Sequence, residues 1–178
     1  MSIFPLYDLA RRVAADKLDV VLVLPPGRSE HSFDPTPREM ARIADTRLAL
    51  SVGLGMDDWL ERLVRNAAGS SVTSIALGPR LEPIPFTLEH AGEEEAEAAE
   101  GHGHGHEDEH GPIDPHVWLD PVRMQTAVGF MVDAFTRLVP AQRAAFRQRG
   151  DAVIASLRTL HEATAARART WPRRQIVT

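Results

Sequence analysis

Asp19-Val20-Val21-Leu22-Val23-Leu24-Pro25-Pro26-Gly27 is the stretch on which the fold turns. A β-branched apolar run of this length, stopped by Pro-Pro-Gly, suits a strand buried on both faces, as in a parallel sheet. Before it, Ile3-Phe4-Pro5 reads as the end of a strand, and Leu6, Leu9, Ala10 and Val13 follow at helical spacing. After it, Thr36-Pro37-Arg38-Glu39 forms a capping box with proline at the first helical position, opening a helix with Met40, Ile43 and Ala44 inward. Residues 48–52 make the next strand, which Gly53-Leu54-Gly55 turns. A helix through Trp59, Leu60, Leu63, Val64 and Ala67 ends near Gly69, and residues 72–77 are another strand. This alternation predicts an α/β fold: a mainly parallel four-stranded sheet flanked by helices, with right-handed crossovers.

Regular signals stop between Pro79 and Pro115. Asp120 and Pro121 then open a helix with Met124, Val128, Met131, Phe135 and Leu138 on one face, which Pro140 breaks. A long helix from about Ala141 to Arg169 uses Phe146, Val153, Ile154, Leu157, Leu160 and Ala163 as its apolar positions. Gly150 is expected to kink or weaken it, by about 1 kcal/mol relative to alanine. Trp171-Pro172 ends it, and Gln175-Ile176-Val177-Thr178 reads as a new strand, so the expectation is a chain cut at both ends.

Composition narrows the function. The chain has 178 residues, 43% hydrophobic, which suffices for a core and for one domain or one domain plus part of a second. No apolar run approaches the ~20 residues of a membrane-spanning helix. Without cysteine, disulfides, thiolate metal sites and cysteine nucleophiles are excluded. The net charge of −5 is unevenly held: residues 92–110 contain eight acids and no Lys or Arg, leaving 17 acids against 20 bases elsewhere. A near-neutral globule with one acidic insert lacks the basic face of a nucleic-acid binder, so no nucleic acid is expected as a partner.

Three histidine settings carry possible chemistry. His31, beside Glu30, stands in the loop after the 19–24 run, where open α/β sheets bind ligands; local hydrogen bonding in a polar loop is the alternative. In Asp114-Pro115-His116-Val117-Trp118-Leu119-Asp120-Pro121, two prolines stiffen the backbone around His116 as a metal-binding imidazole requires. Asp114 or Asp120 could accept its other N–H and set the tautomer. The alternative is that both Asp-Pro pairs merely punctuate helix starts, with Trp118 in the core. The third setting is His102, His104, His106 and His110, interleaved with glycine and acids and preceded by His90 and a glutamate run. Such a tract cannot pack a core, and its imidazole and carboxylate donors suit divalent transition metals; a solubilising loop is the alternative. His161 reads as a surface or structural histidine. Asp57-Asp58 and Glu107–Glu109 lack the partners of acid–base catalysis, and no nucleophile elbow, phosphate loop or metalloprotease helix is present, so no enzyme is expected.

The ordered set of Ile3-Phe4-Pro5-Leu6-Tyr7-Asp8-Leu9-Ala10, Val23-Leu24-Pro25-Pro26-Gly27 with Glu30-His31, Phe33-Asp34-Pro35-Thr36-Pro37, Gly53-Leu54-Gly55-Met56-Asp57-Asp58-Trp59-Leu60 and the 114–121 octapeptide resembles one family. It is the metal-binding receptors of zinc and manganese ABC transporters, periplasmic or lipoprotein solute-binding proteins. The resemblance implies two α/β lobes joined by a long helix, with the metal between them. Residues 1–139 would be the first lobe, with a His/acid-rich loop at 90–111. Residues 140–172 would be the inter-lobe helix, and 173–178 the start of the second lobe. It implies His31 and His116 as ligands from the first lobe, and a His and a carboxylate from the second lobe. Glu30, adjacent to His31, could complete a three-ligand set, its simpler role being a solvated loop acid. His90, His102, His104, His106 and His110 would be accessory donors. Zn2+ is implied over Mn2+, delivery to an ABC transporter membrane permease as the task, and a periplasmic or lipoprotein-anchored location, although Met1-Ser2-Ile3 opens no signal peptide. The competing expectations are a stand-alone metal buffer or chaperone working through the His-rich loop, and an inactive fragment.

Overall fold

The computed structural model describes residues 1–25, 27–28, 33, 35–69, 71–85 and 113–172. They fall into two compact units, Met1–Tyr7 with Val21–Val117 and Asp8–Val20 with Trp118–Thr178. The expected strand at 173–178 lies outside the described residues.

In the first unit, β1 (Leu48–Ser51) pairs in parallel with β2 (Thr73–Ala76), Leu48 opposite Thr73 and Ser51 opposite Ala76. On the other side of β1, Ser2 N donates to Leu50 O at 3.2 Å. Met1 N in turn donates to Val21 O at 2.9 Å, and Val23 N returns a bond to Met1 O at 3.0 Å. Four backbone tracks therefore lie side by side, and the fold is α/β with a small parallel sheet. The 19–24 run is not a regular strand within it. Val23 and Leu24 are consecutive donors to Met1 O and Ser2 O, whereas a strand sends only alternate amides to one neighbour. Nor is the run buried throughout: Val23 and Leu24 are buried, Val20 to Leu22 only half-buried, because this track has a hydrogen-bonded neighbour on one side only among the described residues.

The helices match the sequence pattern more closely. α1 (Phe4–Ala14) buries Leu6, Leu9, Ala10 and Val13. α2 (Pro37–Arg42) starts on the expected capping box: Thr36 Oγ1 accepts from Glu39 N at 3.4 Å, and Glu39 Oε2 accepts from Thr36 N at 2.7 Å. The helix stops at Arg42, so Ile43 is buried while Ala44, beyond the last turn, is exposed rather than inward. α3 (Trp59–Ala68) buries Leu60, Leu63 and Val64 and is capped by Gly69.

The loop from β1 to α3 runs through three successive left-handed residues, Gly53, Leu54 and Gly55, at φ of 74°, 60° and 86°. A side chain at Gly53 would meet Ala76 Cβ at 2.8 Å, so the loop lies close against β2. Asp57 holds it there. Its fully buried carboxylate accepts from Val52 N at 2.7 Å and Gly53 N at 2.6 Å. Burial raises its pKa above the usual 3.8, and the Ser2 side chain followed by the two amides oppose that rise without cancelling it.

In the second unit, α4 (Pro121–Leu138) buries Met124, Val128, Met131 and Phe135, leaving Leu138 half-buried. A 3-10 turn at Pro140–Gln142 reverses the chain into α5 (Arg143–Arg169). Phe135 and Phe146 meet edge to face across the turn, centroids 5.8 Å apart. Arg149 closes the base, donating to Val13 O at 3.3 Å and standing 3.7 Å from Asp16. Gly150 does not break α5. It is buried where a Cβ would lie 2.5 Å from Val132 Cγ2, so its role is close helix packing. Leu160 and Ala163 are exposed, contrary to expectation, and Ile154 and Leu157 half-buried. The 27 residues of α5 outrun the 18 of α4, so among the described residues of this unit its distal turns extend past α4.

Two outcomes are expected. Gly150→Ala should lower stability by about 1–3 kcal/mol despite alanine's better helix propensity, because Val132 is stiff at χ1 and cannot yield. Adding Val132→Ala should recover part of the loss in denaturant titrations. For Asp57 the raised pKa means the folded state holds the proton more tightly than the unfolded chain. Stability relative to Asp57→Asn should therefore fall as pH rises from about 4 through the raised value. A thermal-unfolding difference that grows with pH would show the ionised form to be the stabilising one.

Candidate metal centre

His116 is the predicted ligand whose surroundings can be traced. Its segment is tied to the first unit by backbone: Asp114 N donates to Ile84 O at 2.8 Å, and Pro85 and Ile113 form an antiparallel bridge. Asp114 then turns the chain. Its Oδ1 accepts from His116 N at 2.9 Å and from His116 Nδ1 at 2.7 Å. A carboxylate can only accept, so Nδ1 carries the hydrogen and Nε2 of the neutral ring keeps its lone pair. Both side chains are a little over one-third exposed, so that lone pair belongs to a ring that is neither buried nor free to rotate.

The choice left open between Asp114 and Asp120 is resolved by this geometry. Asp120 is the N-cap of α4: its Oδ1 accepts from Val122 N at 2.8 Å and its Oδ2 from Arg123 Nη1 at 2.6 Å. One Asp-Pro pair orients the imidazole and the other starts a helix. Between them, residues Val117–Leu119 form a 3-10 turn in which Val117 is buried and Trp118 half-buried. The core residue here is Val117.

His31 and Glu30 lie outside the described residues, as do His90, His102, His104, His106 and His110. His161 is exposed on α5. Among the described residues, no three His, Asp or Glu side chains come together as a complete metal cluster. Asp57 is a structural acid whose task the sequence barely signals. The only pointer to it is its place just after Gly53-Leu54-Gly55, where a strand end needs an acceptor for its amides.

Similar proteins share this architecture. The zinc-binding lipoprotein AdcA of Streptococcus pneumoniae is 29% identical over 164 residues, 92% of this chain and 31% of AdcA. The high-affinity zinc uptake system protein ZnuA of Bacillus subtilis is 28% identical over 177 residues, 99% of this chain and 53% of that protein. The manganese-binding lipoprotein MntA of Halalkalibacterium halodurans is 24% identical over 155 residues, 87% of this chain and 44% of MntA. The chain thus spans only 31% to 53% of these relatives' length. A crystal structure of ZnuA superposes with a TM-score of 0.76 at 19% identity, covering 97% of this chain and 59% of that one. Zn(II)-bound AdcA from Streptococcus pneumoniae gives 0.67 at 23% identity, covering 91% of this chain and 30% of that one. Both show the shared fold. The model of the family described as ZnuA, zinc-uptake complex component A, periplasmic, matches residues 1–178 from end to end, and this chain belongs to that family of metal-binding receptors.

Proposed function

We propose that this chain is the first lobe and connecting helix of a receptor that captures a divalent transition metal, zinc foremost, for an ABC transporter permease. The observation that carries the reading is the His116 Nδ1 bond to Asp114, which leaves Nε2 as the ring's donor. Imidazole orientation by a carboxylate is the usual second-sphere arrangement of a metal-binding histidine. His31 supplies the second imidazole, with Glu30, its neighbour in sequence, as a third donor. Zinc takes four ligands at about 2.0–2.2 Å from N and O donors, so two imidazoles fill half the shell. The second lobe completes it with a histidine and a carboxylate.

On this reading residues 1–139 are the lobe, 140–172 the inter-lobe helix and 173–178 the entry to the second lobe. The histidines at 90, 102, 104, 106 and 110 collect metal at low affinity and raise its concentration beside the cleft. Nitrogen-rich donors favour zinc over manganese, which prefers oxygen. The names of the relatives support the same order, one zinc-binding, one of a zinc uptake system and one manganese-binding. They also support a site of action outside the cytoplasmic membrane.

Calorimetry on the full-length receptor should find one tight zinc site that His31→Ala or His116→Ala removes. Asp114→Ala should weaken it by about 10–100-fold through the lost orientation of His116. Retention of full affinity in both histidine variants would refute the ligand assignment. Deleting residues 92–110 should remove only weak additional equivalents. If that deletion abolished all binding while His31→Ala changed nothing, the chain would instead be a metal buffer working through its His-rich segment.

A further inference from the structure

We propose that Gly78 is a positioning residue for His116. Having no side chain, it lets the chain leaving β2 lock against the carbonyl of Val52, and that junction sets where the segment carrying His116 is held. The inference rests on the receptor reading above and adds to it a residue that touches no metal.

The ends of β1 and β2 interlock. Leu77 N donates to Ser51 O at 2.9 Å and Gly78 N to Val52 O at 2.8 Å. A regular strand sends only alternate amides to one neighbour, so Gly78 is where the chain leaves the sheet and turns in toward Val52. The approach is tight: a Cβ on the buried Gly78 would stand 2.6 Å from Val52 O, 2.7 Å from Leu54 Cδ1 and 3.0 Å from Leu54 Cγ. These obstacles differ in kind. The Leu54 side chain can rotate aside. The Val52 carbonyl cannot, because it shares a rigid peptide plane with Gly53 N, and Asp57 Oδ1 holds that amide at 2.6 Å. A side chain at Gly78 must therefore push its own chain away.

The chain beyond Gly78 leads to the ligand. Gly78–Arg80 form a 3-10 turn, in which Arg80 N donates to Leu77 O at 2.8 Å and Leu81 N to Gly78 O at 3.0 Å, and Leu81 is buried. This short bonded path arrives at Ile84 and Pro85, the residues that carry the His116 segment. Ile84 O accepts from Asp114 N at 2.8 Å, and Pro85 bridges Ile113. Asp114 Oδ1 in turn holds His116 Nδ1 at 2.7 Å. Every residue of the path belongs to the first unit. Metal–ligand distances tolerate only about 0.2 Å, so a shift passed along this path is felt by an ion on His116 Nε2. Donors must be placed before the ion arrives, and a backbone junction that admits no side chain provides that placement.

The test is zinc affinity of the full-length receptor by calorimetry, with the absorption spectrum of the Co2+-loaded form reporting ligand geometry. Gly78→Ala should weaken zinc binding by about 10- to 100-fold, the range for disturbing the partner that orients a ligating histidine, and should alter the Co2+ spectrum. Gly150→Ala is the matched control, a second buried glycine whose Cβ would stand 2.5 Å from a neighbour, the Val132 side chain of the second unit. It should lower the unfolding temperature and leave affinity and spectrum unchanged. Adding Leu54→Ala to Gly78→Ala removes the side-chain obstacle and keeps the carbonyl one. That double variant should recover part of the unfolding temperature while its affinity stays low, and it serves also where Gly78→Ala alone is too unstable to assay. If Gly78→Ala behaves like Gly150→Ala, destabilised with affinity and spectrum intact, the glycine is structural only and the inference fails. It fails too if the double variant regains full affinity, since the Val52 carbonyl is then not what places the segment. If His116→Ala itself retains the tight site, the receptor reading fails first and takes this inference with it.

Discussion

The backbone of Val52, just past the end of β1, is the constraint on which the placement of His116 depends. A strand that ends inside a domain leaves amides and carbonyls that no neighbouring strand reaches, and each must find a partner. At Val52 the N–H goes to Asp57 and the C=O accepts from Gly78 N at 2.8 Å. The first bond fixes the left-handed loop and the start of α3. The second fixes the chain leaving β2, which turns through Gly78–Arg80 and runs to Ile84. From Ile84 the carbonyl holds Asp114, and Asp114 holds the imidazole of His116. A continuous set of short polar contacts thus leads from a buried strand end to a partly exposed ring. Two of its steps, Gly78 to Val52 and Asp114 to Ile84, join residues far apart in the chain.

The two Asp-Pro pairs show how similar local sequences take different tasks. In both, the aspartate precedes proline and accepts from the amide two residues on, at Asp114 from His116 N and at Asp120 from Val122 N. The element on the C-terminal side of each pair separates them. After Asp120 comes a long amphipathic helix whose first amides need an acceptor, and Arg123 takes the second oxygen. After Asp114 comes a 3-10 turn of three residues, so the carboxylate reaches the His116 ring instead.

Much of this is legible in the sequence, for reasons that individual residues make plain. The spacing of Leu6, Leu9, Ala10 and Val13, and of Met124, Val128, Met131 and Phe135, reports one buried face, and those faces are buried. The capping box at Thr36 and the cap at Asp120 depend on contacts within four residues, which the local sequence alone can reveal. Misreadings arise where the outcome depends on distant groups. Residues 19–24 have strand composition, yet their regularity is decided by which amides face Met1 and Ser2. Gly150 reads as a helix weakness in the sequence, but Val132, eighteen residues earlier, needs its space. Leu160 and Ala163 keep the helical period but outrun α4, a matter of relative length rather than pattern. At the site, the sequence narrows the carboxylate beside His116 to two candidates; only the geometry of the adjoining turn selects Asp114. The other proposed donors, His31 and Glu30 among them, lie outside the described residues.

On the receptor reading proposed above, the described acids near the candidate site serve to hold the structure in place. Hydrolysis at a metal centre needs an open coordination position and a nearby group able to take a proton from bound water. Asp114 is held by the His116 ring and amide, Asp120 by a helix start and an arginine, and Asp57 is buried with two amides on its oxygens. Each of these carboxylates already has a partner that fixes its role. A receptor asks for something different: donors placed in advance, and a shell that closes around the ion and can open again to release it. An imidazole oriented by the Asp114 carboxylate, on a segment pinned by backbone bonds, would provide that placement in the proposed receptor. On the ligand set proposed above, donors from segments far apart in the chain would leave the shell able to open, because no single element would hold the whole of it.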